Sequence, residues 1–255
     1  MTRDFTYVDD VVESIFRLLK KPAKKDLDES ALDEPTLAIN NANAEIRGVV
    51  GLMERVVGSM VKPFIEGADQ KDVEDSSVDF QDGMDQRIEK ISFLNQSISD
   101  YFLKTSRSEL SEDQTKEVYS LVSCTNYLDS MNNIVKMRFG AMLKNLNKDS
   151  KALSSDSQNE VLLYHKKMIK QLKRLNKFFE KFDRTKAEKI VQKMAKNKDL
   201  EEKYKLKVSQ KTKKAKGTKG DDKLYTDLME MLKQLNIFIE LIASSLLTLE
   251  EKSQA

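Results

Sequence analysis

Tyr127-Leu128-Asp129-Ser130-Met131-Asn132-Asn133 and Gln234-Leu235-Asn236-Ile237-Phe238-Ile239-Glu240 are the two stretches on which the fold turns. Each comes late in a long amphipathic segment and carries a carboxylate and a carboxamide four residues apart. The order is Asp129 then Asn133 in the first, and Asn236 then Glu240 in the second. A four-residue step puts two side chains on one face of an α-helix, one turn apart. Here that face borders an apolar stripe. Such a pair can line an oxygen-rich site inside a bundle, or it can be a solvated edge.

The segments around these steps read as helices. Before the first step, Ser111-Glu112-Asp113-Gln114 has the form of a capping box, in which Ser and Gln side chains reciprocally satisfy free backbone donors. It would start a helix bearing Val118, Leu121, Val122, Leu128, Val135, Phe139, Met142 and Leu146. Upstream, helical spacing runs from Ile39 to Phe64, ended by Pro63 and Gly67, and again from Val73 to Phe102. A short amphipathic segment, Val8 to Lys20, and a charged linker from Pro22 to Pro35 open the chain.

After a Ser- and Asp-rich linker, Asp149 to Ser157, the plan repeats. Val161, His165, Met168, Leu172, Leu175, Phe179 and Phe182 alternate four and three apart, as on the seam of a packed helix. A weaker fifth helix spans roughly Lys186 to Val208. A last one carries Leu224, Leu228, Met231, Leu235, Phe238, Ile242 and Leu249. Leu121 precedes Leu128 by seven residues, as Leu228 precedes Leu235. Superposing those leucines puts Asp129 on Asn236 and Asn133 on Glu240, which reads as a diverged internal duplication.

The expected fold is therefore all-α: an elongated six-helix bundle of two pseudo-repeated three-helix units, with a short extra N-terminal helix. Residues 1–33 would be that helix and its linker, 34–148 the first unit and 149–250 the second, with a mobile basic loop at about 209–221. Totals agree. The 255 residues include only 3 Pro and 8 Gly, with 34% charged residues and 11 Met, too little turn chemistry for a many-stranded protein.

Composition also excludes chemistries. A lone Cys124 rules out an internal disulfide, suits a reducing compartment and reads as a buried, inert thiol. The single His165 reads as a core or boundary residue rather than a ligand. One Cys and one His leave no zinc-type N/S site and no Cys-His nucleophile. Neither Gly-x-x-x-x-Gly-Lys-Ser/Thr nor Gly-x-Gly-x-x-Gly occurs, so no nucleotide motif is present and no enzyme activity is expected. No run of 18 or more apolar residues and no secretory signal is found.

Net charge of +2 conceals an asymmetry. Residues 1–110 hold 14 Lys and Arg against 22 Asp and Glu, and the remainder 30 against 20. Lys203 to Lys219 contains eight lysines and no acid. It reads either as a polybasic patch for an anionic membrane surface or as a solvated loop. Tyr204 is the one aromatic among its lysines, too few for a platform of stacked bases, so nucleic acid is not an expected partner.

Glu34-Pro35-Thr36-Leu37-Ala38-Ile39 through Ala44-Glu45-Ile46 is followed by Phe64-Ile65-Glu66-Gly67 and an acidic helix. Tyr101-Phe102-Leu103-Lys104-Thr105-Ser106 and Glu109-Leu110-Ser111-Glu112-Asp113-Gln114 come next. In order and spacing these phrases resemble the PhoU family, and most of all the C-terminal PhoU-like domain of bacterial sodium/phosphate cotransporter family proteins. The resemblance covers about residues 34 to 249. It implies a non-catalytic cytoplasmic regulatory domain, peripheral to the inner membrane or the soluble part of an integral membrane protein. The implied partners are the membrane domain of a phosphate transporter or a signalling protein, and a homodimer is kept open. A free-standing adaptor that represses phosphate uptake through a transporter and a sensor kinase is the alternative, and a purely structural bundle a further one.

The family's hallmark is a Glu/Asp-x-x-x-Asp step, followed by a His, on the third helix of each repeat, where it helps bind metal. Asp129 occupies its first position, with Asn133 at the second acid and Ile134 at the His. Asn236 and Glu240 stand at the equivalent places of the second repeat, and Ser92 falls where the second helix often contributes an acid. The resemblance thus implies a degenerate site for a divalent or iron-type metal ion at Asp129, Asn133, Asn236 and Glu240. Two charges stand where the motif would supply four, and charge count tunes the affinity of hard cations. A hydrogen-bonded polar layer or a partly solvated groove is the other reading. No other cofactor is expected.

Overall fold

Residues 27–65, 79–149, 153–181, 184–193 and 219–250 are described by a computed structural model, and among them the chain is all-helical, with no strand. Helix α1 is Pro35–Ser59 and α2 is Phe80–Thr105. Helix α3 comprises Glu112–Ile134, a π turn over Val135–Phe139, and a continuation over Gly140–Asp149. Then follow α4 (Ser155–Glu180), α5 (184–193) and α6 (Lys219–Glu250).

Local chemistry sets the helix starts. Pro35 occupies the first turn of α1, where a missing N–H costs nothing. Asp79 caps α2 by accepting from Gln81 N at 2.8 Å. The capping box at Ser111 is formed as its sequence predicts: Gln114 N donates to Ser111 Oγ and Ser111 N to Gln114 Oε1. Gln114 Nε2 also reaches Thr36 Oγ1 at 3.1 Å, so α1 and α3 begin side by side and run parallel.

Packing follows from the apolar stripes. Helix α2 returns antiparallel against α1, with Ser59 Oγ donating to Met84 Sδ near one end and Tyr101 OH to Asp28 O near the other. Against α4, α1 is again antiparallel, since His165 Nε2 lies 2.7 Å from Val57 O while Glu180 pairs with Arg47 at 3.0 Å. Helices α4 and α6 run parallel, with Tyr225 OH donating to Glu160 Oε2 near their starts. The most extensive contact joins α3 to α6. Ser120 Oγ lies 3.4 Å from Thr248 Oγ1, Cys124 Sγ 4.0 Å from Ile242 O, and the Tyr127 and Phe238 rings are 6.0 Å apart, so this pair is antiparallel too. One core results, with Met53, Val57, Leu121, Leu128, Met168, Leu172, Leu228 and Leu235 fully buried. Each such side chain contributes about 1.5–3 kcal/mol by leaving water. Residues Lys223–Thr248 of α6 are long and apolar enough to cross a membrane by length and composition, but here much of the apolar surface is packed into that core.

Several expected boundaries shift. The Asp149 to Ser157 linker overlaps helix at both ends: Asp149 closes α3, and Ser155 to Ser157 form the first turn of α4. Its serine and aspartate are capping chemistry, with Ser154 accepting from Ser157 N and Asp156 in the first turn. Part of the Pro22 to Pro35 linker is likewise ordered as a 3-10 turn, Glu29–Asp33, with Ala31 buried and Leu32 O accepting from Ser108 Oγ. Helix α6 begins at Lys219, inside the loop expected at 209–221. The helix expected at Val8 to Lys20, Val73, the later part of helix five and most of the basic loop lie outside the described residues.

The π turn at Val135–Phe139 is absent from the sequence reading. Val135 and Phe139 both point inward, and Phe139 meets Phe64 and Phe80 edge-on at 6.0 and 6.3 Å. Lys136, Met137 and Arg138 are exposed between them.

Candidate functional site

The antiparallel register of α3 on α6 brings the two polar steps to one level of the bundle. Tyr127 faces Phe238, so Asp129 stands near the height of Asn236, and Glu240 about one turn along. Their exposures differ. Asp129 is half-buried and Asn133 exposed, and the two are joined across one turn by Asn133 Nδ2 donating to Asp129 Oδ2 at 2.9 Å. Asn236 is buried, with Oδ1 out of reach of any protein donor, and Glu240 is half-buried. The structure thus brings Asp129 and Asn133 together, while Asn236 and Glu240 stand one turn apart on the neighbouring helix.

The most buried polar residue of the first step is one that sequence reasoning passed over. Asn132 is fully buried and donates through Nδ2 to Ile88 O and to Ser92 Oγ, each at 2.9 Å. Ser92 therefore serves as an acceptor for α3. Asn95, one turn beyond Ser92 on α2, is buried with neither polar atom within hydrogen-bond distance of a protein partner, and Asn132 Oδ1 is in the same condition. A signal for Asn132 was present, because it lies four residues after Leu128 and three before Val135, on the apolar stripe itself. Glu89, a turn before Ser92, is engaged outward with Lys136 Nζ at 2.7 Å.

No family model, curated protein or solved structure matches this chain.

The arrangement's chemistry is that of oxygen and amide ligands with few charges. Among the described residues, no group of three or more His, Cys, Asp or Glu side chains converges as a metal-ligand set. Asp129 is the one carboxylate of its step, and a donor from Asn133 already occupies one of its oxygens. Amide oxygens at Asn132 and Asn236 add dipoles without charge.

The lone His and the lone Cys, expected as a core or boundary residue and as a buried thiol, are both buried. His165 lies against α1 with Nε2 directed at Val57 O. Burial lowers its pKa, and the carbonyl opposes that in part by favouring the protonated ring. The neutral ring with a proton on Nε2 donates this hydrogen bond. Cys124 is wholly buried between α3 and α6, and burial pushes its thiol far above the ordinary range.

Proposed function

We propose that this chain is a non-catalytic regulatory domain of a sodium/phosphate cotransporter, acting by helix-bundle contacts on the cytoplasmic side of the inner membrane. The observation that carries the reading is the pairing of α1 with α4 and of α3 with α6, both antiparallel. A twofold relation between two three-helix units requires both pairings at once. It also requires equivalent residues to meet near the axis. Leu128 and Leu235, matched in the sequence superposition, do stand at nearly the same height on α3 and α6. With the ordered family phrases, this supports a PhoU-like duplication. The Lys203 to Lys219 stretch is proposed as a contact with the anionic leaflet.

The direct test is to express the chain with the membrane domain of a sodium/phosphate cotransporter and to measure association and sodium-driven phosphate uptake. Co-purification and a changed uptake rate are expected. Binding to a phosphate-sensing kinase alone would favour the free-standing adaptor, and binding to neither would leave a structural bundle. The degenerate metal step is tested separately, by thermal melts with Mg²⁺, Mn²⁺, Zn²⁺ and Fe²⁺. A melt raised by one of these ions, and no longer raised in Asp129→Ala with Glu240→Ala, would establish a metal there; with two charges at the step, no such rise is the expected result. A melt unmoved by every ion, in both proteins, would remove the metal.

A further inference from the structure

Helix α4 has an outer face unlike any other among the described residues. From Val161 to Phe179 it carries six Lys and Arg and no acidic residue. Four of these, Lys166, Lys170, Lys173 and Lys177, follow at steps of four, three and four, so their side chains form one straight row about 16 Å long. All four are exposed, as is Lys181 just past the helix end. None of the four forms an ion pair among the described residues. Leu162 and Leu163, one turn before Lys166, are 39% and 48% exposed and flank the line of the row. The first acid beyond it, Glu180, is held by Arg47. Of the elements beside α4, α1 offers Glu54, which accepts from Asn176, and α5 adds exposed Lys189 and Lys193.

This pattern works against the helix that carries it. Like charges three and four residues apart repel, and the alternation of Glu with Lys that commonly supports a solvated helix is missing. An anionic partner reverses that penalty. The aromatic residues of α4, Tyr164, Phe178 and Phe179, are all buried, so the face has no platform for stacking bases. Folded protein interfaces are depleted in lysine. An anionic bilayer surface suits both components, because lysine stems lie along it with their ammonium groups at the phosphates while leucines enter the headgroup layer.

We infer that the outer face of α4 is a membrane-docking surface, which takes anionic phospholipid through Lys166, Lys170, Lys173 and Lys177 and anchors through Leu162 and Leu163. The inference rests on α4 alone. It is independent of the transporter reading and of the Lys203 to Lys219 stretch.

Sedimentation of the full chain with vesicles tests it, using phosphatidylcholine alone and phosphatidylcholine mixed with phosphatidylglycerol. Binding is expected to the mixed vesicles only, and to weaken with salt. Replacing the four lysines by Gln should lower the affinity more than a hundredfold, at about fivefold per lysine, with a thermal melt no lower than that of the wild type. Leu162→Ser with Leu163→Ser should remove the part of binding that survives high salt. Absence of binding to the mixed vesicles would overturn the inference, as would full binding by the four-lysine variant. Loss of binding only when Lys211, Lys213, Lys214 and Lys216 are replaced would move the contact to that stretch of sequence and overturn it too. Release from vesicles by inorganic phosphate, beyond that caused by chloride of equal ionic strength, would reassign the face to a soluble anion. Tighter capture of single-stranded RNA or polyglutamate than of vesicles would reassign it to those polymers.

Discussion

His165 and Cys124 show how burial converts reactive side chains into structural ones. For His165 the consequence is a pH dependence with a definite sign. Its folded pKa is lowered by burial, so below about pH 6.5 the unfolded chain binds a proton that the folded chain still excludes. Stability should therefore fall as pH drops through 6.5, by at most about 1.4 kcal/mol per pH unit, until the folded pKa is reached. The check is a set of denaturant titrations between pH 7.5 and 5.5 (a range of about two units around the ordinary value), in wild type and in His165→Gln, which keeps a donor but does not titrate. The variant should lose that slope. For Cys124, whose thiol is buried against α6 and held protonated, thiol reagents should label the native protein only as fast as it opens. Labelling in denaturant should be complete within the mixing time of an ordinary free thiol. Rapid labelling of the native protein would contradict the packing of α3 on α6.

At the scale of elements, much of the fold is legible in the residues, and the gaps have physical causes. The four-and-three spacing of Val161, Met168, Leu172, Leu175 and Phe179 marks the buried side of α4, and the Ser111 to Gln114 phrase marks the start of α3. Ser154 and Asp156 misled because capping residues and linker residues are the same residue types; only the backbone that follows tells them apart. The π turn left no signal, since Val135 and Phe139 are also four apart in an ordinary helix. At the candidate site, carboxylates drew attention to Asp129 while the buried amide was its neighbour Asn132, because a buried Asn needs partners from α2 that α3 alone does not reveal. Gly48 is the clearest weak point within an element. It lies inside α1, is exposed, and has nothing within 4 Å of where a Cβ would stand. Gly48→Ala should stabilise by about 0.5–1 kcal/mol through helix propensity and the unfolded chain's entropy, read as a small rise in Tm. A fall in Tm would mean that α1 does not run as a regular helix through this position.

Over the whole molecule, the arrangement makes a prediction about folding units. Each expected three-helix unit leaves an apolar face open without the other. In the first, Leu121, Cys124, Leu128 and Met131 of α3 are fully buried, with Cys124 against Ile242 of α6 and α3 packed most extensively on α6. In the second, Leu235, Ile239 and Ile242 of α6 and Met168 and Leu172 of α4 are fully buried, and those helices pack on α3 and α1 as well as on each other. Because the α3–α6 and α1–α4 contacts both cross between units, the core is shared and neither half owns one. Residues 1–149 and 150–255, produced separately, should therefore be aggregation-prone or lack a cooperative melt. Mixed from denaturant, they should assemble into a one-to-one complex with the helix content of the intact chain. Replacing Leu128 and Leu235 by Asp in the separate halves should prevent that assembly, because two charges would be buried at one level of the interface without partners. Circular dichroism and analytical ultracentrifugation would read the result. Two halves that each melt cooperatively as monomers would show instead two domains which merely touch, and the shared core would have to be abandoned.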